Sequence, residues 1–190
     1  MIRGIIFDCF GVLVGKGFGD VYAAAGGDPI KDNAFIDSMI IKGNRGEISD
    51  AVFEAIMAEK LGLSPAAFHA IALQEEQPNE PLFDYIRTEL KPHYKIGLLS
   101  NAGTGVIENR ISEKDRALFD VIVVSAEIGY QKPEPQAFQI TIDRLGTTYD
   151  ETIFIDDLAI FTEPAKLLGL HALQYKGLDL LKQQLQPLLK

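Results

Sequence analysis

Residues 4–14 read GIIFDCFGVLV, a short apolar run that ends at a carboxylate. The run Gly4–Phe7 has the length and composition of a strand covered on both faces, which is typical of a parallel sheet. Asp8 follows it directly, and Gly11 marks a tight turn whose backbone N–H groups can face an anion. The stretch therefore predicts a first strand with an acidic residue at its carboxyl end.

Three further apolar runs end in polar residues in the same way. They are Ile96–Leu99 before Ser100, Val121–Val124 before Ser125, and Thr152–Ile155 before Asp156. Segments with helical spacing lie around them: Leu82–Leu90, Gly105–Arg116, Gln136–Leu145 and Glu163–Leu168. This alternation predicts an α/β, Rossmann-like, doubly wound parallel sheet. Because ligand sites form outside the carboxyl ends of such strands, we expect Asp8, Ser100 and the Asp156–Asp157 pair to converge.

The stretch 14–81 interrupts the alternation, because it shows helical spacing without a convincing strand. Ser49 is a good N-cap before one helix, and Ser64 followed by Pro65 begins another. We interpret this stretch as a helical lobe inserted after the first strand. The predicted domains are a Rossmann-like core, residues 1–13 and 82–190, and a helical cap, residues 14–81.

Composition and charge exclude several classes of protein. The net charge is −9 and the chain has no long basic run, so neither a nucleic-acid nor an anionic membrane surface is indicated. The apolar run at the N-terminus is too short to span a membrane and lacks the features of a signal peptide. A single cysteine, Cys9, rules out an intrachain disulfide and favours a cytoplasmic protein. The oligomeric state is not indicated.

Several polar residues are suited to phosphate chemistry that uses a metal ion. The adjacent carboxylates Asp156 and Asp157 would repel each other without a cation, and Mg²⁺ prefers oxygen ligands. Ser100 and Asn101 offer a hydroxyl and amides to phosphate oxygens, although both are also ordinary helix caps. Lys132 lies in QKPEP, where prolines constrain its direction, although most lysines are solvated. Asp8 alone is compatible with a simple turn residue.

Taken together, these motifs resemble the haloacid dehalogenase-like hydrolase superfamily over nearly the whole chain. The four motifs occur in order: Asp8 in FDCFGVLV, Ser100 in IGLLSNA, Lys132 in GYQKPEPQAF, and Asp156–Asp157 in FIDDLAIFTEPAKLLGL. The helical stretch is similar to the cap of that superfamily. Its segment RGEIS, residues 45–49, resembles a subgroup that includes sugar-phosphate phosphatases and the N-terminal phosphatase domains of epoxide hydrolases.

The resemblance implies a magnesium-dependent phosphatase that acts on a small phosphorylated metabolite, with sugar phosphates among the candidates. Asp8 would attack phosphorus and form an aspartyl-phosphate. Mg²⁺ would be held by Asp8, the backbone carbonyl of Phe10 and Asp157, with Asp156 as a second ligand or a support. Ser100, Asn101, Gly11 and Lys132 would bind the phosphoryl group, and Lys132 would also offset the charge of Asp8.

Two departures from the family pattern leave other functions open. Phe10 stands where the superfamily's phosphatases usually carry a second Asp, the general acid and base, and Phe161 stands where they usually carry Asp or Asn. A water, the substrate itself or a cap residue could supply the proton instead, and the cap offers Lys42, Asn44, Arg45 and Glu47 as candidates. A metal-free 2-haloacid dehalogenase that uses Asp8 on carbon is one alternative, although the paired acids at 156–157 match it poorly. A catalytically weakened member that binds a ligand is the other.

Overall fold

A five-stranded parallel sheet forms the centre of the molecule. The computed structural model describes residues 1–15 and 17–189. Lys16, in the predicted cap, and Lys190, in the predicted core, lie outside the described residues. The strands are β1 (Gly4–Phe7), β2 (Lys95–Ser100), β3 (Val121–Val124), β4 (Thr152–Asp156) and β5 (His171–Gln174), in the order β3-β2-β1-β4-β5. The predicted α/β fold is confirmed, and β5 is a strand that the apolar pattern did not reveal.

Both faces of the sheet are covered, as a doubly wound fold requires. Successive residues of β1 divide between two apolar clusters: Ile5 and Phe7 belong to one and Ile6 to the other. The middle of β4 alternates in the same way, since Phe154 packs on the Ile6 side while its neighbours do not. A fully buried parallel strand therefore reads as a continuous apolar run, as in this sequence.

Helices flank the sheet and form the lobe that interrupts it. They are α1 (Phe18–Ala24), α2 (Asn33–Asn44), α3 (Asp50–Lys60), α4 (Pro65–Glu75), α5 (Glu80–Tyr85), α6 (Val106–Arg110), α7 (Glu113–Arg116), α8 (Ser125–Ile128), α9 (Pro135–Leu145), α10 (Ala159–Leu167) and α11 (Leu178–Leu185). A π-helical turn, Ile86–Leu90, continues α5. The single helix predicted over 105–116 is wrong, because Ile111 is extended and Ser112 caps a new helix through a hydrogen bond from the Asp115 N–H.

The lobe between β1 and β2 has an apolar core of its own. Helices α1 to α4 bury side chains that include Tyr22, Met57 and Phe68. The two predicted N-caps are confirmed, since Ser49 Oγ accepts from the Val52 N–H and Ser64 Oγ from the Ala67 N–H. These helices lie within the predicted cap, residues 14–81, whose limits remain a prediction. No helix in the described parts of the chain is long and apolar enough to cross a membrane.

Candidate active site

The predicted convergence of polar residues occurs at the carboxyl edge of the sheet. Asp8 is the first residue after β1, and Ser100 and Asp156 are the last residues of β2 and β4. Because β1 lies between β2 and β4, their carboxyl ends are adjacent. The Asp8 N–H donates to the Ile155 carbonyl at 2.8 Å, which extends the β1–β4 ladder to the nucleophile candidate.

Lys132 lies at the centre of this edge, 2% exposed. Its Nζ is 2.6 Å from Asp8 Oδ1 and 2.6 Å from Asp156 Oδ2. The side chain of Asn101 holds the lysine backbone from both sides: it donates to the Lys132 carbonyl at 2.9 Å and accepts from the Lys132 N–H at 2.8 Å. The loop after β2 thereby sets the position of a lysine that lies after β3.

Two aromatic rings lie near the Lys132 ammonium group. Its Nζ is 5.0 Å from the centroid of Phe161 and 5.5 Å from that of Phe154. A cation is attracted to an aromatic face at this distance. Phe161, which stands where Asp or Asn is usual in the family, therefore presents an apolar ring to the lysine.

Burial dominates the electrostatics of the site. It raises the pKa of Asp8 to about 7, because Lys132 lowers this pKa by less than desolvation raises it, and Asp156 raises it further. Burial also raises the pKa of Asp157, with Asp156 adding to the effect. Burial lowers the pKa of Lys132, but the two adjacent carboxylates outweigh it and hold the pKa above the ordinary value. The edge is thus an acidic cluster with one internal cation.

The acidic cluster offers oxygen ligands to a metal ion. Asp8, Asp156 and Asp157 each present a carboxylate oxygen, and these oxygens all lie within 4.8 Å of one another. Both oxygens of Asp156 already have partners, because Oδ2 contacts Lys132 and Oδ1 accepts from the Leu158 N–H at 2.9 Å. Asp8 and Asp157 are therefore better placed to ligate, and their hard oxygens suit Mg²⁺.

Gly11 contributes space to this cluster. Its backbone has a φ of +81°, and a Cβ atom built on it would lie 2.5 Å from Asp157 Cγ. Its N–H donates to the carbonyls of Val14 and Gly15, both at 2.9 Å, so this donor is used within the turn. Phosphate binding by Gly11 remains a prediction, and the structure shows a different use for the glycine.

Ser100 has a buried hydroxyl without a partner. The residue is fully buried, and its Oγ makes no hydrogen bond with any described residue. Leaving such a group unpaired costs on the order of 1–3 kcal/mol. An orphan donor at this edge is compatible with the predicted contact to a phosphoryl oxygen. The side chain of Asn101 lines the cavity and is hydrogen bonded to both backbone groups of Lys132, so phosphate binding by Asn101 remains a prediction.

A cavity of about 330 Å³ opens over the site between the sheet edge and the helical lobe. Asp8, Lys132 and Asp157 line its floor. The walls are largely apolar and include Phe10, Phe18, Phe53, Phe68, Val106 and Phe161. Its volume is near the lower limit for small-molecule sites, about 300–1,000 Å³. Because the cavity is small and residues of the lobe line it, a ligand bound at Asp8 would also contact the lobe.

A family model described as haloacid dehalogenase-like hydrolase matches residues 2–159. The chain belongs to this family. Among curated proteins, the hydrolase is 26% identical over 120 residues to pig bifunctional epoxide hydrolase 2, a match that covers 60% of this chain and 22% of the pig protein. It is 32% identical over 80 residues to a Mycobacterium tuberculosis phosphatase, covering 41% and 37% of the two chains. The hydrolase thus spans less than half the length of these curated relatives.

Solved structures share the fold of the hydrolase. A predicted HAD-like hydrolase from Porphyromonas gingivalis has a TM-score of 0.78 at 24% identity, covering 100% of this chain and 99% of that one. A HAD-family enzyme from Bacteroides thetaiotaomicron, in complex with magnesium and inorganic phosphate, has a TM-score of 0.75 at 24% identity, covering 93% and 95%. L-2-haloacid dehalogenase from Xanthobacter autotrophicus has a TM-score of 0.65 at 20% identity, covering 94% and 79%.

The cap side chains that reach the cavity differ from those expected from the sequence. Of the four candidates for a proton donor, only Asn44 lines the cavity, whereas Lys42, Arg45 and Glu47 are exposed and do not line it. This is a correction to the sequence-based expectation. The resemblance of RGEIS to a phosphatase subgroup indicated a functional segment, but which side chains near it line the cavity depends on how the lobe packs against the sheet edge.

Sequence reasoning missed a buried charged group on the opposite wall. Arg110, on α6, pairs with Glu76 and, at 3.2 Å, with Glu54, and both acids lie in the stretch between β1 and β2. Glu54 also contacts His69 Nδ1 at 2.9 Å. Arg110 Nη1 is buried and has no hydrogen-bond partner among the described residues. The helix reads VIENR, so an arginine that follows Glu108 and Asn109 gave no signal that its side chain would be buried.

Proposed function

We propose that this hydrolase is a magnesium-dependent phosphatase that acts on a small phosphate monoester. The observation that carries the proposal is the set of contacts around Asp8. Its carboxylate contacts Lys132 at 2.6 Å and lies within 4.8 Å of Asp157, at a cavity that fits a small ligand. The magnesium and phosphate held by the structurally similar Bacteroides enzyme support the same chemistry in this fold.

Asp8 acts as the nucleophile in this proposal. Its free carboxylate oxygen attacks phosphorus, the bond to the leaving oxygen breaks, and an aspartyl-phosphate forms that water then hydrolyses. Lys132 holds Asp8 in position and offsets charge on the phosphoryl oxygens, and the Ser100 hydroxyl donates to one of them. Asp8, the Phe10 carbonyl and Asp157 would hold Mg²⁺, which would supply charge neutralisation to the phosphoryl group. Asp156 positions Lys132.

Phosphate release from a panel of monoesters, with and without Mg²⁺, tests this function. Wild type is expected to release phosphate only with Mg²⁺, and Asp8→Asn is expected to release none. Asp143→Asn, which alters an exposed carboxylate of α9, is the matched control and should retain activity. Equal release by wild type and Asp8→Asn would refute the proposal. Mg²⁺-dependent phosphate binding without turnover would instead identify a binding protein.

Dehalogenation of 2-haloacids is a second candidate, favoured by Phe10 and by the fold shared with L-2-haloacid dehalogenase. Asp8 would attack carbon and displace halide without a metal. The closeness of Asp157 to Asp8 argues against it, because two carboxylates in a buried site repel each other unless a cation lies between them. Chloride release from 2-chloropropionate, unaffected by EDTA, would favour this reaction over phosphate transfer.

A further inference from the structure

Phosphate transfer at Asp8 leaves one chemical requirement unmet at the floor of the cavity. An alkoxide leaving group must receive a proton, and Phe10 cannot provide one. The described residues that line the cavity include three carboxyl groups contributed by the lobe: Asp50, Glu54 and Glu76. These groups line the same cavity as Asp8, Lys132 and Asp157.

Two of the three carboxyl groups are held by ion pairs. Glu76 is bound by the Arg110 guanidinium, and Glu54 by both Arg110 and His69. Each of the two carboxyl groups is held by the Arg110 guanidinium, which favours its charged form, although burial still raises the pKa of Glu76. These two side chains are therefore better suited to fixing Arg110 than to protonating a leaving group.

Asp50 differs from them in its contacts and its position. Within residues 1–15 and 17–189, no cationic group lies within ion-pair distance of it. It begins α3 directly after the Ser49 cap. The backbone nitrogen of Asp50 lies 4.0 Å from the position that a Cβ atom on Gly103 would occupy. Gly103 belongs to the loop that continues from Ser100. Asp50 thus lines the cavity where the cap meets the loop of the candidate phosphate site.

The surroundings of Asp50 favour retention of its proton. Burial raises the pKa of this half-buried carboxyl, and Glu54 on the same helix raises it further. Arg110 and Asn109 of α6 and His69 of α4 oppose the shift without cancelling it. Arg110 also stabilises the carboxylate that remains after the proton leaves. A carboxyl group that keeps its proton to higher pH than usual, with a cation nearby to stabilise the carboxylate after transfer, is suited to general acid catalysis.

We infer that Asp50, supplied by the cap, is the general acid that replaces the one missing at Phe10. The inference rests on the proposed phosphatase function. As Asp8 forms its bond to phosphorus, the electron pair of the breaking P–O bond passes to the leaving oxygen, which takes the proton of Asp50. The Asp50 carboxylate then takes a proton from the water that attacks the phosphorus of the aspartyl-phosphate. Phosphate leaves, the Asp8 carboxylate is freed, and Asp50 is protonated again.

Two substrates that differ in their need for an acid test the inference. p-Nitrophenyl phosphate has a leaving group that is stable as an anion, whereas n-butyl phosphate requires a proton on its leaving oxygen. In Asp50→Asn, kcat/KM for n-butyl phosphate is expected to fall about 10²–10⁴-fold, and that for p-nitrophenyl phosphate less than about tenfold. Glu47→Gln, an exposed carboxyl of the same cap segment, is the control and should leave both unchanged.

Two further readouts separate proton transfer from a structural role. In wild type, kcat/KM for n-butyl phosphate should fall as rising pH removes the Asp50 proton, and this limb should be absent in Asp50→Asn. Formate should restore turnover of n-butyl phosphate by Asp50→Ala. An Asp50→Asn variant that loses activity equally on both substrates, or on neither, would overturn the inference while the phosphatase function stands. If wild type hydrolyses neither substrate and matches Asp8→Asn, both proposals fail.

Discussion

Gly11 and Asp157 lie so close together that a methyl group on the glycine would overlap the carboxyl group, 2.5 Å from its Cγ. The glycine also has a φ of +81°, a conformation that other residues adopt only under strain. A glycine that follows the nucleophile candidate by three residues therefore makes room for the carboxylate of Asp157, a proposed metal ligand.

Gly11→Ala is expected to displace Asp157 and weaken Mg²⁺ binding on the order of 10–100-fold, the usual effect of disturbing a ligand's support. Mg²⁺ titration followed by thermal shift measures this affinity. Gly62→Ala is the matched control, because Gly62 also has a positive φ of +69° but nothing lies within 4 Å of its Cβ position. Both variants should lose about 1–2 kcal/mol through strain. Equal Mg²⁺ affinities would show that the contact does not matter.

Asn101→Ala is expected to impair activity through Lys132. The substitution leaves the N–H and carbonyl of a buried lysine without their partners, which should cost about 1–3 kcal/mol of unfolding free energy. A displaced lysine should also lower kcat/KM about 10²-fold. Asn79→Ala removes a comparable amide, which donates to the Val12 carbonyl and the Tyr175 hydroxyl, and serves as the control. Urea denaturation is expected to show similar stability losses in the two variants. Kinetics are expected to show a much larger loss of activity in Asn101→Ala than in Asn79→Ala.

Lys132→Met should make the fold dependent on Mg²⁺. Without the lysine, Asp8 and Asp156 remain as buried carboxylates without a cation, and breaking a buried ion pair costs about 3–5 kcal/mol. Urea unfolding should show this loss in EDTA and a partial recovery in Mg²⁺. Lys166→Met removes an exposed pair with Glu163 and should change stability by less than about 1 kcal/mol in either buffer. A metal-independent loss in Lys132→Met would contradict the expectation.

The contact between Tyr22 and Asp32 should make the stability of the protein depend on pH. The Tyr22 hydroxyl donates to Asp32 Oδ2 at 2.9 Å and, with Lys60, lowers the pKa of Asp32. A folded-state pKa below the unfolded value contributes stability at higher pH, and this is lost as pH falls through the lowered pKa. Tyr22→Phe should therefore destabilise the protein at pH 7 and progressively less toward pH 3.

Tyr149→Phe is the control for this pH series. The Tyr149 hydroxyl donates to the amide oxygen of Gln139, which does not titrate in the acid range. Its effect on the unfolding free energy should therefore be nearly the same at both ends of the range. If the loss in Tyr22→Phe is equally constant with pH, Asp32 does not contribute through its charge.

Strand positions and the convergence of the motifs could be predicted because few physical rules decide them. Buried parallel strands require continuous apolar runs, and parallel strand order brings the ends of β1, β2 and β4 to one edge. Asp8, Ser100 and Asp156 were therefore placed together correctly. The edge strand β5 was missed because its pattern HALQ is short and only partly buried. The break at Ile111 was missed because the residues on both sides of it have helical composition.

The sequence by itself determined the fold, the family and the polar residues at the sheet edge, because periodicity and motif order can be recognised without knowledge of contacts. Only the tertiary structure decided how individual atoms are used. It shows Asp156 engaged with Lys132 and the Leu158 N–H, Gly11 making room for Asp157, and Asp50 rather than Glu47 lining the cavity. These outcomes depend on how the helical lobe packs against the sheet edge. Residues far apart in the chain meet there and set the direction of each side chain.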